Sequence, residues 1–186
     1  MSRYIVCIDA GHGGRDPGAV YNNYKEKVFA LTISELTIGL LEMDGLSVIT
    51  TRINDYYLKR QQRAEIANRS LADLFVSLHI NSFPNPTANG IETYYRLGHK
   101  SSRIAANLTQ SKLIQDLPLR NRGVKSGTFY VLTETNKDMT AILCELGFIT
   151  NSHDRYLITS REFQVQAAKC IANGVLSFMR EVKIEI

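Results

Sequence analysis

Short apolar runs alternate along this chain with longer stretches in which apolar residues return every three to four positions. Tyr4-Ile5-Val6-Cys7-Ile8 is continuous and β-branched, as in a strand covered on both faces. The apolar positions Val28, Phe29, Leu31, Ile33, Leu36, Ile38, Leu40 and Leu41 then predict an amphipathic helix over Glu26 to Met43, ended by Gly45. Leu46 to Thr51 reads as a second strand. Leu58 to Arg69 reads as a second helix with Ala64, Ile66 and Ala67 inward, and Leu74 to Ile80 as a third strand. Ser82 to Asn89, with Pro84 and Pro86, is a loop. Gly90 to Tyr95 alternates like a half-exposed strand. A helix over Ser101 to Gln115, a short strand at Gly127 to Leu132, a strand at Ala141 to Ile149 and a helix over Glu162 to Met179 complete the series. Strands alternating with helices predict an α/β fold with a largely parallel sheet and helices on its faces.

One residue breaks this pattern. Glu145 stands inside Ala141-Ile142-Leu143-Cys144-Glu145-Leu146-Gly147-Phe148-Ile149, an otherwise apolar run. A carboxylate there loses its hydration, so it is protonated, paired with a cation, or used in acid–base chemistry.

Composition narrows the function classes. The chain of 186 residues is 44% hydrophobic and 22% charged, ordinary for one globular domain spanning residues 1–186. The net charge of +4 comes without a run of Lys and Arg, so no nucleic-acid partner is expected. A small positive excess suits a solvated surface, or attraction to an anionic polymer such as a bacterial wall. The three cysteines, Cys7, Cys144 and Cys170, lie in apolar segments and read as buried thiols; without a Cys-x-x-Cys spacing they offer no zinc site. Neither a signal sequence nor a membrane span is read in the chain, so it is expected in the cytoplasm before release, or as a piece trimmed from a secreted protein.

Ligands of open α/β sheets bind beyond the C-terminal ends of the strands. His12 follows the first strand, His79 ends the third, Glu26 opens the first helix, and Glu145 lies near the end of the last strand. His12, Glu26 and His79 make a two-histidine, one-carboxylate set of the kind that holds catalytic zinc. Glu145 would then be the general base, taking the proton of the attacking water. Asp9 and Asn81 are candidates to orient the histidines. Duller readings stand beside these. A lone histidine after a strand is usually a surface group, Glu26 suits the positive end of a helix, and Glu145 could pair with Arg122 or Lys125 in the core. His99 and His153 lie in polar stretches and are expected to be exposed.

Five stretches, taken in order, resemble the zinc-dependent N-acetylmuramoyl-L-alanine amidases called Amidase_3. They are Ile8-Asp9-Ala10-Gly11-His12-Gly13-Gly14-Arg15-Asp16-Pro17-Gly18-Ala19, Lys25-Glu26-Lys27, Arg63-Ala64-Glu65-Ile66-Ala67-Asn68, Ala72 to Asn81, and Leu143-Cys144-Glu145-Leu146-Gly147-Phe148-Ile149-Thr150-Asn151. Arg122-Gly123-Val124-Lys125 and Tyr130-Val131-Leu132 fit as well. The resemblance implies a mixed six-stranded sheet flanked by helices on both faces. It implies one Zn2+ per chain on His12, Glu26 and His79, with Glu145 catalytic. It also implies hydrolysis of the amide between N-acetylmuramic acid and L-alanine in peptidoglycan, leading to cell-wall lysis as in endolysins and autolysins. Arg122 would orient substrate or stabilise the developing oxyanion. The chain is expected to act on peptidoglycan as a monomer, with no membrane partner.

Amidases held inactive usually carry an extra regulatory helix after the third-strand histidine; here only Ser82 to Asn89 precedes Gly90, so an open groove is expected. Two rival readings remain. One is a thiol peptidase using Cys144, whose side chain must point to the opposite face from that of Glu145. The other is a wall-binding module with a decayed site.

Overall fold

A computed structural model describes residues 4–184. Ile5–Ala10 (β1) is followed by a loop and a minimal hairpin, Val20–Tyr21 (β2) and Tyr24–Lys25 (β3), which leads into Glu26–Met43 (α1). Ser47–Thr50 (β4), Arg60–Arg69 (α2), Leu74–Asn81 (β5), Ile91–Arg96 (β6) and Lys100–Asp116 (α3) come next. Asn121–Gly127 (β7), Tyr130–Thr133 (α4), Thr140–Phe148 (β8), Ser152–Ile158 (α5) and Arg161–Ile184 (α6) complete the order.

The main sheet has six strands in the order β4-β1-β5-β8-β6-β7. β4, β1, β5 and β8 run parallel; β6 pairs antiparallel with β8 and parallel with β7. The fold is therefore α/β with a mixed, largely parallel sheet. Alternate residues of the central strands serve two cores. Val6, Ile8, Leu74, Val76, Leu78, Ile142 and Cys144 pack with residues of α1, α3 and α6, including Phe29, Ile33, Leu113 and Phe178. Cys7, Phe75, Ala141 and Leu143 face the other way and form a smaller core with Ala67 of α2 and Val131 and Leu132 of α4. Burial on both faces explains why these strands read as unbroken apolar runs. The three cysteines are free and buried.

Three expectations change. The strand at Gly127 to Leu132 is not formed: the strand is Asn121–Gly127, and Tyr130–Thr133 is a helical turn burying Val131 and Leu132. A four-residue apolar run cannot be assigned by periodicity, and β7 is an edge strand that needs little apolar surface to pair. β6 does not alternate as a half-exposed strand, since Ile91, Glu92 and Thr93 are all buried. In α2 the inward residues are Arg63, Ala64 and Ala67, while Ile66 is only half-buried.

Candidate active site

Asp9, Ser77, His79 and Glu145 alternate in step with Cys7, Phe75, Ala141 and Leu143 of the same strands and so share the face of the smaller core, near the C-terminal ends of β1, β5 and β8. His79 and Glu145 are register partners on parallel neighbours. Just beyond them the register shifts between β5 and β8, where Gly147 takes φ +119°. Such bulges re-aim side chains at the rim of a sheet.

Glu26 begins α1 at this rim and is 4% exposed. Its Oε1 faces His79 Nδ1 at 2.8 Å and accepts the Ile80 N–H at 3.0 Å. Its Oε2 faces His12 Nε2 at 3.1 Å and accepts the Ala19 N–H at 2.8 Å. Burial alone would raise the proton affinity of Glu26, but hydrogen bonding to both histidines holds its carboxyl well below the usual range. It is an ionised carboxylate between two imidazoles, so the dull reading of Glu26 as a dipole partner does not describe its contacts.

His12 has a left-handed backbone, φ +60°. Burial would lower its pKa, but Glu26 and Asp16 raise it, and Asp16 Oδ2 lies 2.9 Å from its Nδ1. The two imidazole rings meet edge-on, 5.0 Å between centroids. One ligand atom each from His12, Glu26 and His79 lies within 4.8 Å of the others, so the trio can share a single cation. Two glycines keep this space clear. A Cβ on Gly11 would come within 2.4 Å of the His79 ring, and one on Gly18 within 2.5 Å of Glu26 Oε2 and 2.6 Å of His12 Cδ2.

The histidine partner is Asp16, not Asp9 or Asn81. Asp9 is fully buried and accepts from Thr51, Ser77 and Arg63. Asn81 donates to Glu92. Asp16 is brought back by the Gly13–Asp16 bridge, which spacing did not signal.

Among the described residues Glu145 has no cationic partner. Arg122 and Lys125 bind Glu92 instead, at 2.7 and 2.5 Å. Glu145 Oε2 is buried without a hydrogen-bond partner. Burial, then repulsion from Glu26 and Glu92, pushes its proton affinity well up. Glu92 is the residue the sequence reading missed; an acid at the buried start of β6 was its only signal. Arg122 sits 4.8 Å over the Phe148 ring while Glu92 holds its Nε, and its Nη1 donates to the Asn89 carbonyl at 3.3 Å.

Cys144 faces the larger core, and burial lifts its thiol to about 12. That removes it as a nucleophile and places it opposite Glu145, as strand alternation requires. His153 is exposed as expected, whereas His99 is half-buried and caps α3 by accepting from the Ser102 N–H at 3.1 Å. A cleft of about 540 Å³ opens at the site, its lining including His12, His79, Tyr57, Arg60, Phe129 and Tyr130. Segment 82–90, after β5, forms no helix.

Comparison with known proteins agrees with this architecture. The Amidase_3 profile, described as N-acetylmuramoyl-L-alanine amidase, matches residues 6–177. The chain is 43% identical over 176 residues to the uncharacterized protein YqiI of Bacillus subtilis, covering 93% of this chain and 84% of the relative. It is 35% identical over 177 residues to N-acetylmuramoyl-L-alanine amidase LytC of Bacillus subtilis, covering 94% of this chain but 35% of that protein. The crystal structure of N-acetylmuramoyl-L-alanine amidase from Clostridium difficile 630 superposes with a TM-score of 0.91 at 38% identity, covering 97% and 98% of the two chains. A profile spanning nearly the whole sheet, with relatives above 30% identity, leaves one conclusion: the chain belongs to the Amidase_3 family of N-acetylmuramoyl-L-alanine amidases.

Proposed function

We propose that this chain is a single catalytic domain that hydrolyses the amide between N-acetylmuramic acid and L-alanine in peptidoglycan, with one zinc ion on His12, Glu26 and His79. The supporting observation is the meeting of these three donors around one space, with the unpartnered Glu145 carboxyl on the neighbouring strand. The donor set suits zinc: two imidazoles and an already ionised carboxylate, with Asp16 behind His12 to fix its ring. When bound, zinc would supply Lewis acidity, polarising the scissile carbonyl and making water a better nucleophile near neutral pH.

The protein groups do the rest. Glu145 takes a proton from the attacking water on its carboxyl group and returns it to the departing amine of L-alanine. Its half-buried setting beside Glu26 and Glu92 favours a carboxyl that readily accepts that proton. Arg122, fixed between Glu92 and Phe148, orients the substrate and offsets charge developing on the carbonyl oxygen. The cleft beside His12 and His79 gives an extended polymer room to lie across the site.

The test uses purified peptidoglycan as substrate and measures new L-alanine amino groups. Chelation by EDTA should abolish their release and added zinc should restore it. Full activity in a metal-free preparation would overturn the zinc assignment, and wall binding without amino-group release would overturn the hydrolase.

A further inference from the structure

Arg52 follows β4 and is one of the largest fully buried side chains, at 1% exposure. It forms no ion pair among the described residues. The two acids nearest in the network are committed elsewhere, Asp9 to Arg63 and Asp55 to Lys27. Its donors go entirely to backbone carbonyls: Nε to Ala10 at 2.9 Å, Nη1 to Asn54 at 3.1 Å, and Nη2 to Gly11 at 2.8 Å and Lys27 at 3.0 Å. A buried cation without a counter-charge is a costly way to satisfy carbonyls, and burial followed by repulsion from Arg63 lowers its proton affinity. Its placement therefore calls for a reason beyond stability.

The two carbonyls that share Nη2 give one. Gly11 immediately precedes His12, and Lys27 immediately follows Glu26. A single guanidinium nitrogen thus joins the strand-end loop of one donor to the helix start of another. Gly13 closes over the same group: a Cβ there would stand 3.1 Å from Arg52 Nε and 2.3 Å from the Tyr56 carbonyl. Arg63 grips the loop from its other side, donating to the Ala10 carbonyl at 2.6 Å and the His12 carbonyl at 2.5 Å. Of the two arginines Arg52 is the one that reaches across to α1, beside the backbone bonds from Glu26 to Ala19 and from Lys27 to Pro17 farther along the loop.

We infer that Arg52 is a positioning residue that sets the spacing between His12 and Glu26 before a metal arrives. The inference rests on the reading of His12, Glu26 and His79 as metal ligands. The planar fork is what permits it, because a lysine ammonium keeps the charge but cannot span the same set of carbonyls.

The test compares wild type, Arg52→Lys, Arg52→Met and His79→Ala. Each is stripped of metal, melted, and titrated with zinc against a chromophoric chelator. Arg52→Lys should melt cooperatively without metal yet bind zinc about 10- to 100-fold more weakly, the size expected for a group that orients ligands. Arg52→Met should bind at least as weakly, and His79→Ala should lose the site. Zinc affinity within twofold of wild type in a folded Arg52→Lys protein would overturn the inference. So would loss of the metal-free fold in both Arg52 variants, which would make the residue structural. A wild type that binds no more zinc than His79→Ala would instead refute the ligand reading, and the inference with it.

Discussion

Glu145 and Glu92 are register partners on the antiparallel neighbours β8 and β6, and their carboxyl groups have opposite surroundings. Glu92 accepts hydrogen bonds from Asn81, Tyr94, Arg122 and Lys125, while Glu145 Oε2 accepts none. Burial works against ionisation of both. Around Glu92 it is outweighed by Lys125, Arg122 and Tyr94, which hold that carboxyl below its ordinary range. Around Glu145 the neighbouring carboxylates add to it. Adjacent acids driven apart in this way suit the division of labour proposed above, in which Glu92 stays charged and scaffolds while Glu145 moves a proton.

Glu145→Gln should therefore lower turnover by about 10²- to 10⁴-fold while leaving zinc content unchanged. Its unfolding free energy without metal, from urea titration, should stay within about 1 kcal/mol of wild type, because no ion pair is lost. Amino-group release and elemental analysis of the same preparation check both halves. Near-wild-type turnover would remove Glu145 from the mechanism.

Replacing its partner should act differently. Glu92→Gln leaves Arg122 and Lys125 adjacent without their shared counter-charge. Both cations are partly solvated, so the expected loss of stability is modest, about 1–2 kcal/mol by urea unfolding. Activity should fall while zinc remains bound. Unchanged kcat/KM would show that the Arg122 side chain is not needed in its present place.

The proposed ligands can be ranked. His79→Ala should leave substoichiometric zinc after dialysis. Glu26→Gln should retain more, because an amide still offers an oxygen. Stoichiometric zinc in the His79 variant would overturn the donor set.

Asp9 should contribute to acid sensitivity. Burial alone would raise its pKa, but Arg63, Ser77 and Thr51 bring it below 3.8. A folded-state pKa below the unfolded one adds stability that is complete above the unfolded value and fades as pH falls through the folded one. The loss therefore lies below about pH 4. Asp9→Asn strands the Arg63 guanidinium and should cost about 3–5 kcal/mol at neutral pH. It should also flatten the decline of the urea midpoint below pH 4, and an unchanged decline would contradict the assignment.

Two glycine substitutions should separate site from scaffold. Gly11→Ala drives a methyl into the His79 ring and should cut zinc affinity and activity together. Gly39→Ala meets nothing within 4 Å and lies inside α1, so it should raise stability by up to about 1 kcal/mol with activity unchanged.

Much of this was legible in the residues. β1, β5 and β8 announce themselves because both faces are apolar, and α1 runs from Glu26 to Met43 as its periodicity predicts. His12, Glu26 and His79 were placed together by the rule that sites lie beyond strand ends, and the structure brings them there. What stayed hidden depends on pairing rather than on pattern. β7 is polar and held by its ladder, so Asn-Arg-Gly-Val-Lys-Ser-Gly reads as a loop. Asp16 reaches His12 only through a turn, and Arg122 and Lys125 choose Glu92 over Glu145 because β6 lies between β7 and β8.

The three interior thiols have a consequence for where the molecule can work. Cys7 and Cys144 are on opposite faces of the sheet, and Cys170 is inside α6. Burial makes thiolate scarce at all three, lifting Cys170 to about 11 and the other two higher still. Oxidants and disulfide exchange need an accessible thiolate. The same native state should hold whether its surroundings are reducing or oxidising, with no covalent staple among the described residues to form or lose.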